Sequence, residues 1–407
     1  MAHFTIRPVR TKADEKKFLN FPYTFYKTDP YWVAPLRLER KKLIDRTHNP
    51  FYQHAQLALY LAEREGQVIG RIGAIVNAHH NQTHQDKVGF FGFFECVQDQ
   101  AVANALFDAA QQFLQSHGME AMRGPANPSV NDEYGVLVDG FQASPVVLMP
   151  YNPPYYSELM ERYGLQKAKD LFAYLLDQET VYTDKLVRAH ARVTQRHRVT
   201  FRSLNMKDFA HDVQRIKAVY NAAWHENWGA VAMTDAEFDA LAADLKRIVD
   251  PDLVILAEAH GQTIGFALSL PDINQALKYN KHGGLLGGLW HLYTKKNQIN
   301  LCRILVLGVL PEYKKTGAAG VLFFETAARA KHLGYRYGEA SWILEDNVMM
   351  NRAAELLHGQ KYKTYRIYQK EIGRIIAKLT ENRHSAIGNE EWFKEMAKTS
   401  NHRTPRK

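Results

Sequence analysis

The sequence predicts a mixed-sheet α/β protein in which one fold occurs twice in tandem. Three observations carry this. Ala62-Glu63-Arg64-Glu65-Gly66-Gln67-Val68-Ile69-Gly70 recurs as Ala257-Glu258-Ala259-His260-Gly261-Gln262-Thr263-Ile264-Gly265. Each copy lies between apolar runs, the signature of a β-hairpin with a glycine turn. Downstream, a helical pattern ending at Gly118 mirrors one ending at Gly334, and Glu158 to Tyr174 loosely mirrors Ala354 to Tyr368. Finally, Cys302 to Gly320 joins an apolar strand to a glycine-bearing turn that opens an amphipathic helix. A repeat this long implies tandem domains, because solenoid periods are far shorter and 407 residues leave room for two or three domains.

In the first copy, placed at residues 1–185, Met1 to Arg7 begins as a strand and lacks the features of a signal peptide. Gly89 to Val97 reads as a strand that runs through Gln98-Asp99-Gln100 into a helix with Val102, Leu106, Ala109 and Phe113 on one face. No glycine occupies that turn. Asp99 is a good N-cap, and its carboxylate competes with any anion for the same N–H groups. Arg123 to Gly135 is rich in Gly, Pro, Asn and Asp, hence an ordered loop. Asn127 and Asn131 on it are candidate substrate ligands, the alternative being a turn that ties the domain down. Residues 186–197 form a basic linker containing Arg188, Arg192 and Arg196.

The second copy spans 198–373. Tyr220 to Gly229 combines Asn221, Trp224, Glu226, Asn227 and Trp228. Tryptophans with adjacent amides suit a pocket having an apolar wall and a few directed hydrogen bonds, and Glu226 is the candidate base or amine-binding group. The competing reading makes both tryptophans core residues four apart on a helix. Asn280 to Trp290 carries four glycines and reads as a movable flap. Residues 374–407 look like a charged helical extension.

The strand–turn–helix junction at Leu307-Gly308-Val309-Leu310-Pro311 and Lys314-Lys315-Thr316-Gly317-Ala318-Ala319-Gly320 is suited to phosphate. Outward N–H groups at a helix start and the helix dipole both favour an anion. It lacks the Gly-Lys-Ser/Thr of nucleotide hydrolases and the three glycines of a Rossmann turn. It resembles motif A of the GCN5-related N-acetyltransferases, with Lys314-x-x-Gly317-x-Ala319 matching Arg/Gln-x-x-Gly-x-Gly/Ala.

That resemblance implies two tandem acyl-CoA N-acyltransferase-like domains, the first degenerate and the second carrying acetyl-CoA or another acyl-CoA. The pyrophosphate would lie on residues 314–319, the pantetheine arm beside Leu307, and the thioester oxygen on the Val309 N–H. Glu345 to Gly359 resembles the family's second coenzyme-contacting helix, which assigns Asn347 and Asn351 to the coenzyme. The tyrosine that often protonates the leaving thiolate falls at His358; the plainer reading of that histidine is a helix terminus. The implied reaction is acyl transfer to an amine, a small molecule or a peptide.

Composition bounds the alternatives. With 46% hydrophobic residues the chain can bury two cores. Two cysteines, Cys96 and Cys302, read as equivalent positions in separate cores, so no disulfide and a reducing, cytoplasmic setting are expected. No apolar run is long enough to span a membrane, and no metal-ligand spacing occurs. The net charge of +9 is spread out, against a nucleic-acid partner. Two rival functions remain: a non-catalytic acyl-CoA-binding protein, and a tandem aminoacyl-tRNA-dependent transferase. Oligomeric state, acyl length and acceptor identity are not written in any motif.

Overall fold

The computed structural model describes residues 3–182, 184–224 and 227–373. The expected extension at 374–407 lies outside them, as do Glu226 and the side chain of Trp224. The first half contains β1 (Thr5–Pro8), α1 (Lys12–Phe25), α2 (Arg37–Leu43), β2 (Ala55–Arg64), β3 (Gln67–Asn77), α3 (Ala78–His84), β4 (Val88–Cys96) and α4 (Gln100–Ser116). It continues with β5 (Ala121–Gly124), β6 (Ala126–Asn127), β7 (Glu133–Tyr134), β8 (Val136–Asp139), α5 (Tyr156–Arg162) and β9 (Gln166–Asp177). After α6 (Asp184–His197) the order repeats through β10 (Thr200–Ser203), α7 (Phe209–Trp224), α8 (Asp235–Leu245), β11 (Val254–Ala259) and β12 (Gln262–Pro271). Helices α9 (Asn274–Leu277) and α10 (Leu285–Lys295) then precede β13 (Leu301–Val309), α11 (Ala318–His332), β14 (Tyr337–Leu344), α12 (Val348–Leu356) and β15 (Gln360–Glu371).

The repeated hairpin is a structural repeat to the residue. Thr5 pairs with Glu63 and Arg7 with Leu61, just as Thr200 pairs with Glu258 and Arg202 with Leu256. Both hairpins bulge at the same place, between Ala62 and Glu63 and between Ala257 and Glu258. Both turn through a left-handed pair, Glu65-Gly66 and His260-Gly261, which matches strand twist. Even the ion pairs repeat: Arg7 bridges Asp14 and Glu63, Arg202 bridges Asp212 and Glu258. Arg7 holds the Glu63 carboxyl down at about 2. Burial pushes Asp212 up, but hydrogen bonds from Arg202, the Asn205 N–H and Arg215 hold it at about 2.

The halves share a single thirteen-stranded sheet in the order β1-β2-β3-β4-β5-β15-β9-β14-β13-β12-β11-β10, with β8 also on β15. Its centre is an exchange. The last strand of the first half, β9, pairs with β14, while β15 pairs with β5, and the two exchanged strands pair with each other. Tyr365 and Ile367 of β15 are therefore buried in one core with Phe90 and Leu137.

Buried charge reinforces the seam. Arg303, 1% exposed, donates to the Val147 carbonyl at 2.9 Å and to Ser341 Oγ at 3.0 Å. Asp272 accepts the Val147 N–H at 2.8 Å, and Lys363 donates to the Ser144 carbonyl at 2.6 Å. Burial pushes Asp272 up to about 7 and lowers Lys363.

Two expectations change. Cys96 and Cys302 are both free and buried, but they are not equivalent: Cys96 ends β4 opposite Gly70, whereas Cys302 lies near the start of β13 opposite Pro271. The counterpart of Cys96 is Val309, which lies opposite Gly265. The glycine-rich flap is mostly the helix α10, and Gly283 before it is pinned: a Cβ there would lie 2.4 Å from the Pro35 carbonyl oxygen.

Candidate active site at the second strand–helix junction

Strands β13 and β14 run parallel from the Leu301–Tyr337 pair to the Ile304–Ala340 pair and then separate. The Leu310 N–H donates to the Ile264 carbonyl at 2.8 Å. Because successive residues of a strand point their N–H groups to opposite sides, the Val309 N–H faces the opening toward β14. Past it, Pro311–Thr316 forms a short 3-10 turn, and Gly317 (φ 88) starts α11 with no side-chain cap. Thr316 Oγ1 takes the Ala318 N–H at 3.2 Å, and the first helical bond runs from Val321 to Gly317. Ala319 and Gly320 thus present N–H groups without intrahelical acceptors. A Cβ on Gly320 would meet nothing within 4 Å, so the first turn of α11 has open space beside that glycine. Lys315 is exposed at the same turn. The basic segment expected as a linker is α6, packed along α11: His190 lies 2.7 Å from Glu325, and Val193 sits against Gly317.

The equivalent place in the first half is filled. β4 and β5 pair only from Val88–Ala121 to Phe90–Arg123. Above that, the segment carrying β6 and β7 enters the gap so closely that a Cβ on Gly92 would lie 1.7 Å from the Ala126 carbonyl oxygen. Asn127 accepts the Phe93 N–H and donates to Glu133 at 3.0 Å. The Cys96 N–H, counterpart of the Val309 N–H, donates to the Tyr156 hydroxyl at 2.9 Å, which itself donates to Glu95 at 2.8 Å. Asp99 caps α4 by accepting from Ala101 at 3.0 Å and pairs with Arg64 at 2.7 Å.

The structure also brings together the two clusters singled out in the sequence. Trp228 packs against the central core, with the Arg123 guanidinium 5.0 Å and the Lys169 ammonium 5.5 Å from its ring centroid. Lys169 also reaches Asp346 at 2.7 Å, the residue before Asn347, linking the Trp228 segment to the start of α12. Asn131 donates to the Val231 carbonyl at 3.3 Å and accepts from the Tyr220 hydroxyl at 3.4 Å. Asn221 is exposed, and Asn227 is half-buried and accepts the Ala230 N–H on its carbonyl. Asn127 turns inward, as described, rather than toward this cluster.

Beside it stands a titratable group that no motif announced. His54 Nε2 is 3.3 Å from Glu237 and its ring 5.3 Å from that of His79, which meets the Ala232 carbonyl at 3.0 Å. Asp132 accepts from Ser129 at 2.6 Å, and burial, aided by Glu133 and Glu237, pushes it up to about 6. A carboxyl poised there can exchange protons near neutrality. His54, His79 and Glu237 are far apart in sequence, so only the packing of α8 onto the first half reveals them.

The remaining sequence-predicted residues belong to α12. Asn347 caps it, accepting the Met350 N–H at 3.2 Å. The Asn351 amide donates to the Leu344 carbonyl at 2.9 Å and accepts from Tyr174 at 3.0 Å. His358 lies exposed in the left-handed region (φ 58) just past the helix, lining a groove of about 500 Å³ with Asp177, Thr180 and Tyr337. Tyr337 pairs with Leu301, so His358 stands near the opposite end of β13 from Val309, roughly 26 Å along the strand at ~3.3 Å per residue. Two residues before the next strand it occupies the place that Gly164 (φ 92) holds in the first half. Among the described residues no cluster of metal-ligating side chains occurs, and no helix is long and apolar enough to cross a membrane.

No protein-family profile matches the chain. It is 36% identical over 380 residues to the bacterial ceramide synthase of Caulobacter vibrioides, covering 91% of this chain and 98% of that protein. Protein YghO of Escherichia coli is 32% identical over 377 residues, covering 90% and 95%. Among solved structures, a tandem GNAT protein from the clavulanic acid biosynthesis pathway superposes with a TM-score of 0.55 at 12% identity, over 91% of this chain and 99% of that one. The GCN5-related glucosamine N-acetyltransferase region of a fungal multi-domain β-N-acetylglucosaminidase gives 0.57 at 13% identity, over 91% of this chain and 38% of that larger one.

Proposed function

The chain belongs to the family of the bacterial ceramide synthase and YghO and has the fold of a tandem GCN5-related N-acetyltransferase, and from that premise we propose that it transfers an acyl group from coenzyme A to the amine of a long-chain amino alcohol. The observation carrying this reading is the contrast between the junctions: one helix start is closed by Asp99, the other begins on bare Gly317 beside an opening strand pair. The chemical class of the acceptor follows from the relative's name, since a ceramide is a fatty amide of such an alcohol.

In this mechanism the N–H groups of Ala319 and Gly320 receive the pyrophosphate, as helix starts do. The Val309 N–H donates to the thioester oxygen and strengthens its bond as negative charge develops there. The free amine attacks the thioester carbon; the new C–N bond forms as the C–S bond breaks. The ammonium proton leaves to a base, for which Asp132 with the His54–Glu237 pair is the described candidate and Glu226 the other, and the thiolate gains a proton to leave as free coenzyme. Trp228 and Asn131 hold the acceptor segment, so that alignment of the two reactants supplies much of the rate.

The test is thermal stability with acetyl-CoA and palmitoyl-CoA, native chain against Gly317→Glu, followed by thiol release with long-chain amino alcohols. A ligand that binds the folded state raises the melting temperature. The expected result is a concentration-dependent rise that Gly317→Glu abolishes, with thiol release only when an amine is added. A folded native protein whose melting temperature ignores both coenzymes would end this reading.

A further inference from the structure

Helix α10 turns an apolar face to solvent. Leu286 is 83% exposed, Trp290 64% and Tyr293 75%, with Leu285 and Leu289 exposed beside them on the same stripe. The opposite face carries glycine: a Cβ on Gly288 would lie 2.7 Å from Leu36, so the helix lies close against the first half. Its base is fastened there by Arg37, whose N–H meets the Gly283 carbonyl at 2.9 Å and whose guanidinium donates to the His282 carbonyl at 2.7 Å. A helix held at its base with large apolar residues facing water is not explained by packing among the described residues.

Charge in the stretch of chain that carries the helix is of one sign. Between Asp272 and Glu312 the sequence has no acidic residue, while Lys278, Lys281, Lys295 and Lys296 flank both ends of α10. Lys278 and Lys295 each lie 5.3 Å from the centroid of the Tyr279 ring, keeping cations beside an aromatic at the helix base. Exposed leucines in the N-terminal turns, Trp290 and Tyr293 toward the C-terminal end and lysines beyond both ends match a helix lying in a membrane interface. We propose that α10 docks the protein onto the surface of a bilayer containing anionic lipid, its apolar face entering the acyl boundary and its lysines meeting the headgroups. The surface stands apart from the acyl-transfer reading; only its purpose, access to a long-chain amine dissolved in lipid, rests on that reading.

The test is co-sedimentation of the full chain with phosphatidylcholine vesicles, with and without phosphatidylglycerol, for the native protein and the double variant Leu286→Glu, Trp290→Glu. Both substitutions are exposed, so the variant should melt within a few degrees of native. Native protein should sediment with anionic vesicles and much less with neutral ones, and the variant's affinity should fall at least about ten-fold. No binding by native protein, or equal binding by a folded variant, overturns the inference. So does a native dimer in light scattering that the variant loses without any vesicle binding by native protein, since the occupant is then a second copy. Vesicle binding that fails while the acyl-CoA thermal shift persists removes this inference alone; the reverse pattern removes the functional reading alone.

Discussion

The two strand–helix junctions descend from one design and have opposite fates. At both, a parallel strand pair opens after three or four residues, and a backbone N–H, from Cys96 or Val309, faces the gap. In the first half the Tyr156 hydroxyl takes that N–H, the 126–134 segment enters the gap and Asp99 caps the helix. In the second, α11 starts on glycine and its first turn keeps donors to offer. The comparison teaches that a buried polar group must be satisfied, by the protein or by a ligand. A junction filled from within becomes structure, and one left open is where a ligand gains most.

On the proposed reading, the largest effect is expected where the filled half meets the acceptor segment. Trp228→Ala and Asn131→Ala loosen the acceptor segment, and each should lower kcat/KM for the amine by roughly 10- to 100-fold while leaving the acyl-CoA thermal shift intact. Steady-state thiol release read beside melting curves checks this, and loss of both together would mean that the two sites are not separable. Next, Tyr156→Phe leaves the Cys96 N–H and one Glu95 oxygen without that partner, a cost of about 1–3 kcal/mol in chemical denaturation. It should not confer coenzyme binding, because Asp99 and the 126–134 segment stay in place.

The seam between halves gives a pH signature. Burial raises Asp272 from its ordinary 3.8 to about 7, so the folded chain keeps a proton that the unfolded chain has released. The stability that Asp272 contributes therefore falls as pH rises from about 4 through 7. Asp272→Asn can still accept the Val147 N–H but does not titrate, so the stability of the native chain relative to this variant, read from melting temperature against pH, should fall as pH rises across that window. The falling contribution of Asp132 and the rising one of buried His80, held down at about 3, are common to both. The smallest effect sharpens the comparison at matched helix ends. His358→Gly copies Gly164, relieves a left-handed residue and should stabilise by at most about 1 kcal/mol, with kcat unchanged; a fall in kcat of ten-fold would give His358 a chemical role.

Much of this was legible in the chain. The hairpin repeat was readable because turn residues act locally: a two-residue hairpin turn needs left-handed conformations, and the glycine of Glu65-Gly66 and of His260-Gly261 supplies one without steric cost. Asp99 against Gly317 was readable for the same reason, since an N-cap acts within a single turn of helix. The pairing of Asn127 with Phe93 and Glu133, against that of Asn131 with Tyr220, was not, because neighbours on one loop can face opposite ways. His358 drew attention by its spacing from Asn351, while its position depends on where α12 ends.

By itself, then, the sequence determined what is local: two hairpins, two strand–helix junctions and the chemistry of each helix start. Tertiary structure alone decided that β9 and β15 would change places and that Asn131 would meet Tyr220 while His54 met Glu237. Strand exchange depends on which edges are free once both halves are formed, and side chains converge only through register and packing. Those are properties of the whole sheet, and no short stretch of residues encodes them.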